Sequence, residues 1–364
     1  MNICFLFTGF VKPGGVERVV SVLINNLCLD KDITVFCLCY TKSIDNKFYH
    51  INSDIHCDYL FEDVPTMTNA IIRRRAINKV NEYIKNNKID IIIGCGALYY
   101  PLSVICAKLT GIKSICWEHT NPTTTCDYRF QKQCRLIGLF LSNSNVVLSR
   151  TALDFYNKKR NKRNYLIYNP VDPEINNYIL EYNLKSNKIL SVGRLVKVKN
   201  YDAVIEIAYN LLNKGWTGSW DIYGDGPERK HLEESIKKYG LENIVNLMGN
   251  TNKMYSLYNN YSMLVLTSTY EGFPMVLLEG AASGLPLLSF DIETGPNEII
   301  DDGKNGYLLE PNDLDGMTDR ILTLVNDVTL RCNMSSESRK FANGFTIQQI
   351  VNKWRDLFDE ICKT

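Results

Sequence analysis

Two glutamates eight residues apart, Glu271 and Glu279, lie inside the stretch Thr267-Ser-Thr-Tyr-Glu-Gly-Phe-Pro-Met-Val-Leu-Leu-Glu-Gly-Ala-Ala-Ser-Gly-Leu-Pro286. An apolar run there ends in a polar loop holding Glu271 and Gly272, and a helix is expected to start near Pro274. Proline suits a first helical position, because its missing N–H would have no partner there. Such a start aims free N–H groups and a partial positive charge at the loop, which suits a diphosphate. Two carboxylates beside a phosphate make electrostatic sense if they accept hydrogen bonds from sugar hydroxyls, as an acidic residue does on the ribose in dinucleotide folds.

Other polar groups stand where a strand gives way to a loop. Trp117-Glu118-His119-Thr120-Asn121-Pro122 follows an apolar run, so Glu118 and His119 fall at the carboxyl end of a strand, where open α/β sheets bind ligands. Gly14 and Gly15 precede a helical pattern and would let the backbone approach a phosphate or sugar. A tight strand-to-helix turn without a ligand would also use them. Asp313-Leu-Asp315 spells a metal-binding D-x-D, but it follows Glu310-Pro-Asn at an expected helix start, where acidic residues are favoured anyway. Gly94-Cys-Gly96 lacks the third glycine of a dinucleotide fingerprint.

These groups need elements to hold them, and the chain supplies short apolar runs alternating with helical patterns. Strands are expected at 3–7, 33–39, 89–93, 114–117, 145–148 and 166–167. After Asn169-Pro170-Val171-Asp172-Pro173, a turn or stiff linker, a second series is expected at 188–192, 219–223, 245–248, 263–267, 287–289 and 306–308. Helical patterns cover 202–213, 228–239 and 275–282. The last one, 346–362, places Ile347, Ile350, Val351, Trp354, Leu357, Phe358 and Ile361 on one stripe. The expected α/β architecture is two Rossmann-like domains with parallel sheets facing across a cleft, at 1–168 and 169–345, with 346–364 packing back on the first.

The motifs taken in order resemble the retaining glycosyltransferases of the GT-B fold, and most of all the large family 4 of group 1. The resemblance covers the whole second domain. It rests on the Glu-x7-Glu pair, on Ser191-Val-Gly-Arg-Leu with Lys199-Asn, on Tyr223-Gly-Asp-Gly-Pro227, on Gly295-Pro-Asn-Glu-Ile299, and on Asp302-Gly-Lys-Asn-Gly306. In the first domain it rests on Gly14-Gly15-Val-Glu-Arg18 and on Glu118-His119. It implies that Arg194 and Lys199 bind the donor diphosphate, where cations ease departure of the nucleoside diphosphate. Glu279 would hold the ribose and Glu271 the donor sugar, with backbone groups of Gly272, Phe273, Pro274, Met275 and Val276 shared between sugar and phosphate. Pro274 stands where many relatives have glycine, which removes one N–H. His119 would touch the donor sugar, Glu118 would orient the acceptor, and Gly14 and Gly15 would line the donor site. The implied reaction moves a hexose or N-acetylhexosamine from a nucleotide sugar, mostly a UDP-sugar in this family, to a glycan or lipid-linked saccharide. No metal or other cofactor is expected. The alternatives are a UDP-sugar epimerase of the same fold and a non-catalytic partner subunit.

Charge is uneven: residues 1–170 carry 22 Lys and Arg against 13 Asp and Glu, and residues 171–364 carry 19 against 27. The basic half should face something anionic. Arg73-Arg74-Arg75 on a helical pattern, and Lys158 to Arg163, read either as solvated faces or as contacts for anionic lipid headgroups. Aromatic residues do not interleave with them as in nucleic-acid grooves. Twelve cysteines at irregular spacing, with no C-x-x-C, read as free thiols of a reducing cytoplasm. The apolar start Met1 to Phe7 lacks a basic region before it, so it reads as a buried strand rather than a signal peptide. The expected location is cytoplasmic, with peripheral attachment to the membrane face.

Overall fold

The computed structural model describes residues 1–10, 14–42, 49–63, 70–122, 129–160 and 163–363. The chain divides into two compact domains: Met1–Pro170 together with Ile347–Thr364, and Val171–Thr346.

The first domain runs β1 (Asn2–Phe7), α1 (Gly15–Leu27), β2 (Thr34–Thr41), β3 (His56–Phe61), α2 (Ala70–Asn86), β4 (Ile91–Cys95), α3 (Tyr100–Thr110), β5 (Lys113–Trp117), α4 (Arg129–Leu141), β6 (Ser144–Val147), α5 (Arg150–Lys159) and β7 (Asn164–Leu166). All seven strands are parallel, in the order β3-β2-β1-β4-β5-β6-β7. The inner strands β1 and β4 are covered on both faces, which is why Ile3 to Phe7 and Ile91 to Cys95 are unbroken apolar runs. Helix α1 buries Val19, Val20, Leu23, Ile24 and Leu27, the stripe expected of one helical face. Gly138 lets α4 lie close to its neighbours: a Cβ there would sit 2.7 Å from the Tyr100 ring and 2.9 Å from Cys116 Sγ.

Strand β3 is absent from the pattern-based reading. It is the outer strand and mostly exposed, so His-Cys-Asp-Tyr-Leu-Phe needs no continuous apolar run. The strand expected at 166–167 also lies earlier, at Asn164–Leu166. The cysteines among the described residues are free.

The second domain runs β8 (Lys188–Val192), α6 (Tyr201–Asn213), β9 (Ser219–Tyr223), α7 (Arg229–Lys238), β10 (Val245–Gly249), α8 (Met254–Leu257), β11 (Met263–Leu266), α9 (Met275–Ala282), β12 (Leu287–Phe290), β13 (Gly306–Leu309), α10 (Leu314–Asn326) and α11 (Val328–Ala342). Its parallel sheet has the order β10-β9-β8-β11-β12-β13. The chain therefore reverses its direction of winding between β8 and β11, and ligands of open α/β sheets bind at such a switch point. Trp216 and Trp220 are buried with Val204, Ile207 and Leu211 of α6 in one core. The Trp220 indole donates to Ser191 Oγ at 3.0 Å, and Ser191 donates onward to the Val265 carbonyl at 2.7 Å, so the buried polar atoms are satisfied.

The last helix, α12 (Ile347–Lys363), packs in the first domain. It buries Ile350, Trp354, Leu357, Phe358 and Ile361, each worth about 1.5–3 kcal/mol when fully removed from water. Trp354 meets Trp117 edge to face at 5.0 Å, and Arg355 pairs with Asp30 at 2.8 Å. No helix among the described residues is long and apolar enough to cross a membrane.

Candidate functional site

In the second domain, the loops after β8 and β11 meet at the switch point. The β8 loop is clamped from one side by the β9 loop: Gly193 N–H donates to the Tyr223 carbonyl at 2.9 Å, and Leu195 N–H to Asp225 at 3.1 Å. Gly224 has φ +137°, and a Cβ there would fall 2.0 Å from the Gly193 carbonyl oxygen. Only glycine fits, which gives Tyr223-Gly-Asp-Gly-Pro227 a packing reason beneath the motif. The clamp fixes the backbone of Arg194, whose side chain is exposed and has no partner for its guanidinium among the described residues.

From the other side the β11 loop is stitched to 198–199. Thr269 N–H donates to the Val198 carbonyl at 2.9 Å, and Thr267 Oγ1 donates to the Lys199 carbonyl at 2.9 Å. Lys199 Nζ then reaches Glu271 Oε1 at 2.5 Å, and Ser268 Oγ donates to the same oxygen at 2.7 Å. Both members of the ion pair are largely buried. Thr294 Oγ1 holds the Glu271 carbonyl at 2.6 Å, and Gly295, at φ +104°, lies against Pro274 and Glu271 where a Cβ would come within 2.9 Å.

Helix α9 begins at Met275, with Pro274 as its N-cap residue rather than its first turn. Leu277 N–H donates to the Pro274 carbonyl, while the N–H groups of Gly272, Met275 and Val276 have no acceptor among the described residues. Phe273 is buried. Glu279, one turn further along, is 2% exposed and accepts from Tyr258 OH at 2.9 Å. Thus one edge of the domain gathers two cations, two carboxylates and a row of donor N–H groups. Tyr258, Ser268 and Thr294 belong to this edge and escaped the sequence reading; a hydroxyl distant in the chain carries no signal of its partner.

The first domain holds the remaining candidates. His119 lies against Trp117, the two rings tilted at 49° with centroids 4.3 Å apart. Its Nε2 is sealed from solvent and has no hydrogen-bond partner among the described residues. Burial pulls its imidazole down to about 4, against a smaller opposing effect of the Glu118 charge, so the ring is neutral at physiological pH.

Glu118 is occupied. Its Oε2 accepts from Arg135 Nε at 2.7 Å and Tyr156 OH at 2.8 Å, and its Oε1 from Thr120 Oγ1 at 2.7 Å and Thr120 N–H at 3.2 Å. A carboxylate has about four lone-pair sites, and all are used. Burial alone would raise its pKa, but the Arg135 charge and these donors outweigh that and hold the carboxyl below its usual range. Through these bonds Glu118 anchors the loop after β5.

Gly14 caps α1 and donates its N–H to Tyr49 OH at 2.8 Å, so that N–H is not available to a ligand. A side chain on Gly14 would strike the Glu17 carboxylate at 2.3 Å, whereas Gly15 has open space around it. Arg73, Arg74 and Arg75 are exposed on α2. Arg160 of the other basic cluster donates to the Leu139 carbonyl at 2.5 Å, while Asn161 and Lys162 fall outside the described residues, as does Pro13. Asp313 is the N-cap of α10, accepting from Gly316 N–H at 2.8 Å, which accounts for the D-x-D pattern.

Residues 174–341 match the family model described as glycosyl transferases group 1. Over 98% of the chain and 99% of its relative, the sequence is 27% identical to the amylovoran biosynthesis glycosyltransferase AmsD of Erwinia amylovora. Among solved structures, a TarM variant of S. aureus bound to UDP and alpha-GlcNAc-glycerol is similar with a TM-score of 0.72 and 25% identity. That match covers 79% of this chain and 58% of TarM, so the chain spans less than two thirds of that relative. Anabaena Alr3699/HepE, solved with UDP, superposes over 99% of this chain and 100% of its own with a TM-score of 0.80; at 17% identity the likeness shows the fold. Residues 174–341 of the second domain are thus similar to the group 1 glycosyltransferases, and the chain shares its two-domain α/β GT-B fold with TarM and HepE.

Proposed function

We propose that the protein is a retaining glycosyltransferase of family 4 type. It takes a hexose or N-acetylhexosamine from a UDP-sugar and attaches it to a glycan or lipid-linked saccharide in surface polysaccharide synthesis. The observation that carries this reading is the switch-point edge of the second domain, where exposed Arg194 and the Lys199–Glu271 pair stand beside the free N–H groups that open α9. Arg194, Lys199 and these N–H groups hold the diphosphate and stabilise the charge it gains as the glycosidic bond breaks. Glu279 takes the ribose hydroxyls, and Glu271 the donor sugar. The names of AmsD and of the UDP-bound TarM and HepE agree with this donor and with a polysaccharide product.

Retention follows from a same-face displacement in which the leaving phosphate takes the acceptor proton. Glu271 is tied to Lys199 and Ser268, and Glu118 to Arg135, Thr120 and Tyr156, so neither is poised as a covalent nucleophile. His119, neutral and with Nε2 unsatisfied, contributes a hydrogen bond to the donor sugar. The two cations do the work a metal does in other sugar transferases. The protein acts in the cytoplasm, with Arg73, Arg74 and Arg75 facing anionic lipid.

The test is calorimetric titration with UDP, GDP and ADP, beside Glu279→Ala and Arg194→Ala. Selective UDP binding that weakens in both variants supports the donor site. Turnover of a UDP-sugar with acceptor, followed by NMR of the new anomeric centre, then reads retention directly. A folded protein that binds no nucleotide sinks the transferase reading and leaves the partner-subunit alternative; a UDP-sugar converted to its epimer without acceptor would select the epimerase.

A further inference from the structure

Helices α2, α3 and α4 of the first domain enclose a cavity of about 250 Å³. Its wall is built of Ile77, Leu98, Ile105, Phe130 and Ile137, with Arg73 the one charged residue lining it among the described residues. Apolar side chains continue onto the surface beside it: Phe130 is 38% exposed, Leu98 36%, and Ile71, two residues before Arg73, 78%. An apolar hollow that opens among exposed apolar side chains is costly unless a hydrophobic ligand or surface covers it.

Charge says what kind of ligand. The three helices carry nine basic residues and a single acidic one, Glu82. Arg73, Arg74, Arg75, Arg129 and Lys132 are exposed. A hydrocarbon-lined hollow with an arginine in its wall, on helices that carry further exposed cations, complements a hydrocarbon chain that ends in an anion. Position adds the rest. Tyr40, near the carboxyl end of β2, and Leu98, just after β4, both line the cavity, so it lies toward the edge of the sheet from which the His119 loop emerges.

We infer that this cavity holds one hydrocarbon chain of a phosphate-bearing lipid, with the phosphate on the arginines of α2 and the attached saccharide directed along the carboxyl edge of the sheet. This deepens the proposed function by specifying the acceptor as lipid-linked, and rests on that reading only for the identity of the sugar end.

Calorimetry of the full chain with butyl, octyl and dodecyl phosphate, below their aggregation limits, tests it. Dodecyl maltoside serves as the neutral-headed control and UDP is titrated into the same sample. Binding should tighten with chain length by up to about fourfold per methylene until the cavity is full. Ile105→Trp, which fills the cavity, should remove the chain-length dependence; Leu98→Gln at the exposed rim replaces it if that variant does not fold. Arg73→Glu with Arg74→Glu should remove the preference for phosphate over maltoside. Phosphate binding that ignores chain length would overturn the inference and leave a basic surface only. So would UDP binding with no alkyl phosphate binding, in which case the transferase reading survives. Chain-length-dependent binding without UDP binding would keep the cavity assignment and sink the donor site.

Discussion

Glu118 offers the sharpest separation of a structural role from a functional one. Its carboxylate is 2% exposed and Arg135 is 7% exposed, 2.7 Å apart. Glu118→Ala takes the carboxylate away from a buried guanidinium that also touches Thr120 Oγ1 at 2.6 Å, and strips Tyr156 OH of its acceptor. Removing one member of a buried pair costs about 3–5 kcal/mol. For a domain of 150–250 residues each kcal/mol moves Tm by about 2–4 °C, so the first thermal transition should fall by roughly 6–20 °C. Arg135→Met should cost a similar amount. The double variant Glu118→Ala with Arg135→Met removes both charges and should cost well under the sum, giving a coupling of about 2 kcal/mol or more. The pH dependence has a fixed sign. The folded carboxyl is held below its ordinary value of 4.5, so its contribution is present above that value and is lost as pH falls through the folded pKa. The stability gap between wild type and Glu118→Gln should accordingly shrink in acid. Scanning calorimetry of the five proteins at neutral pH, and denaturant titrations down to the acid limit, measure all of this. A Glu118→Ala protein that melts within about 2 °C of wild type, while its acceptor KM rises, would refute the anchoring role and restore the acceptor-orienting one.

Three further outcomes follow from the same geometry. Arg194→Ala should leave stability within about 0.5 kcal/mol, because the side chain is exposed and unpartnered, yet weaken UDP binding by roughly ten- to a hundredfold, as for a lost charged hydrogen bond; denaturant curves and calorimetry read the two effects separately. Gly224→Ala forces a Cβ against the Gly193 carbonyl at φ +137° and should cost more than about 2 kcal/mol, with UDP affinity lost along with the displaced Arg194 loop. The His119 ring, pulled from 6.5 to about 4, stays neutral in the native state while the unfolded chain takes up a proton, so stability should decline as pH drops from 6.5 toward 4. His119→Gln should flatten that slope, and an NMR titration that finds the native imidazole protonating near 6.5 would contradict the burial.

What could be read in the chain and what could not divides along physical lines. Buried parallel strands must be apolar on both faces, so β1, β4, β8 and β11 announced themselves, whereas β3, exposed at the edge of its sheet, had no such constraint and left no pattern. Within the site, local features were legible: a glycine needed for close approach, a helix start, a cation beside a turn. Pairings across the chain were not. Nothing in the spacing of Lys199 and Glu271 says that they meet, and nothing links Glu118 to Arg135 and Tyr156, seventeen and thirty-eight residues away. The cost of that blindness is specific. A glutamate next to a candidate histidine at a strand's carboxyl end looks like a ligand-binding group, because its position is right. Whether it can bind depends on how many of its lone pairs the fold has already spent, and that is settled by α4 and α5, elements that the motif does not contain. A motif thus locates a site well and apportions roles within it poorly: Glu118 shares its address with His119, but only the histidine retains an unsatisfied atom to offer.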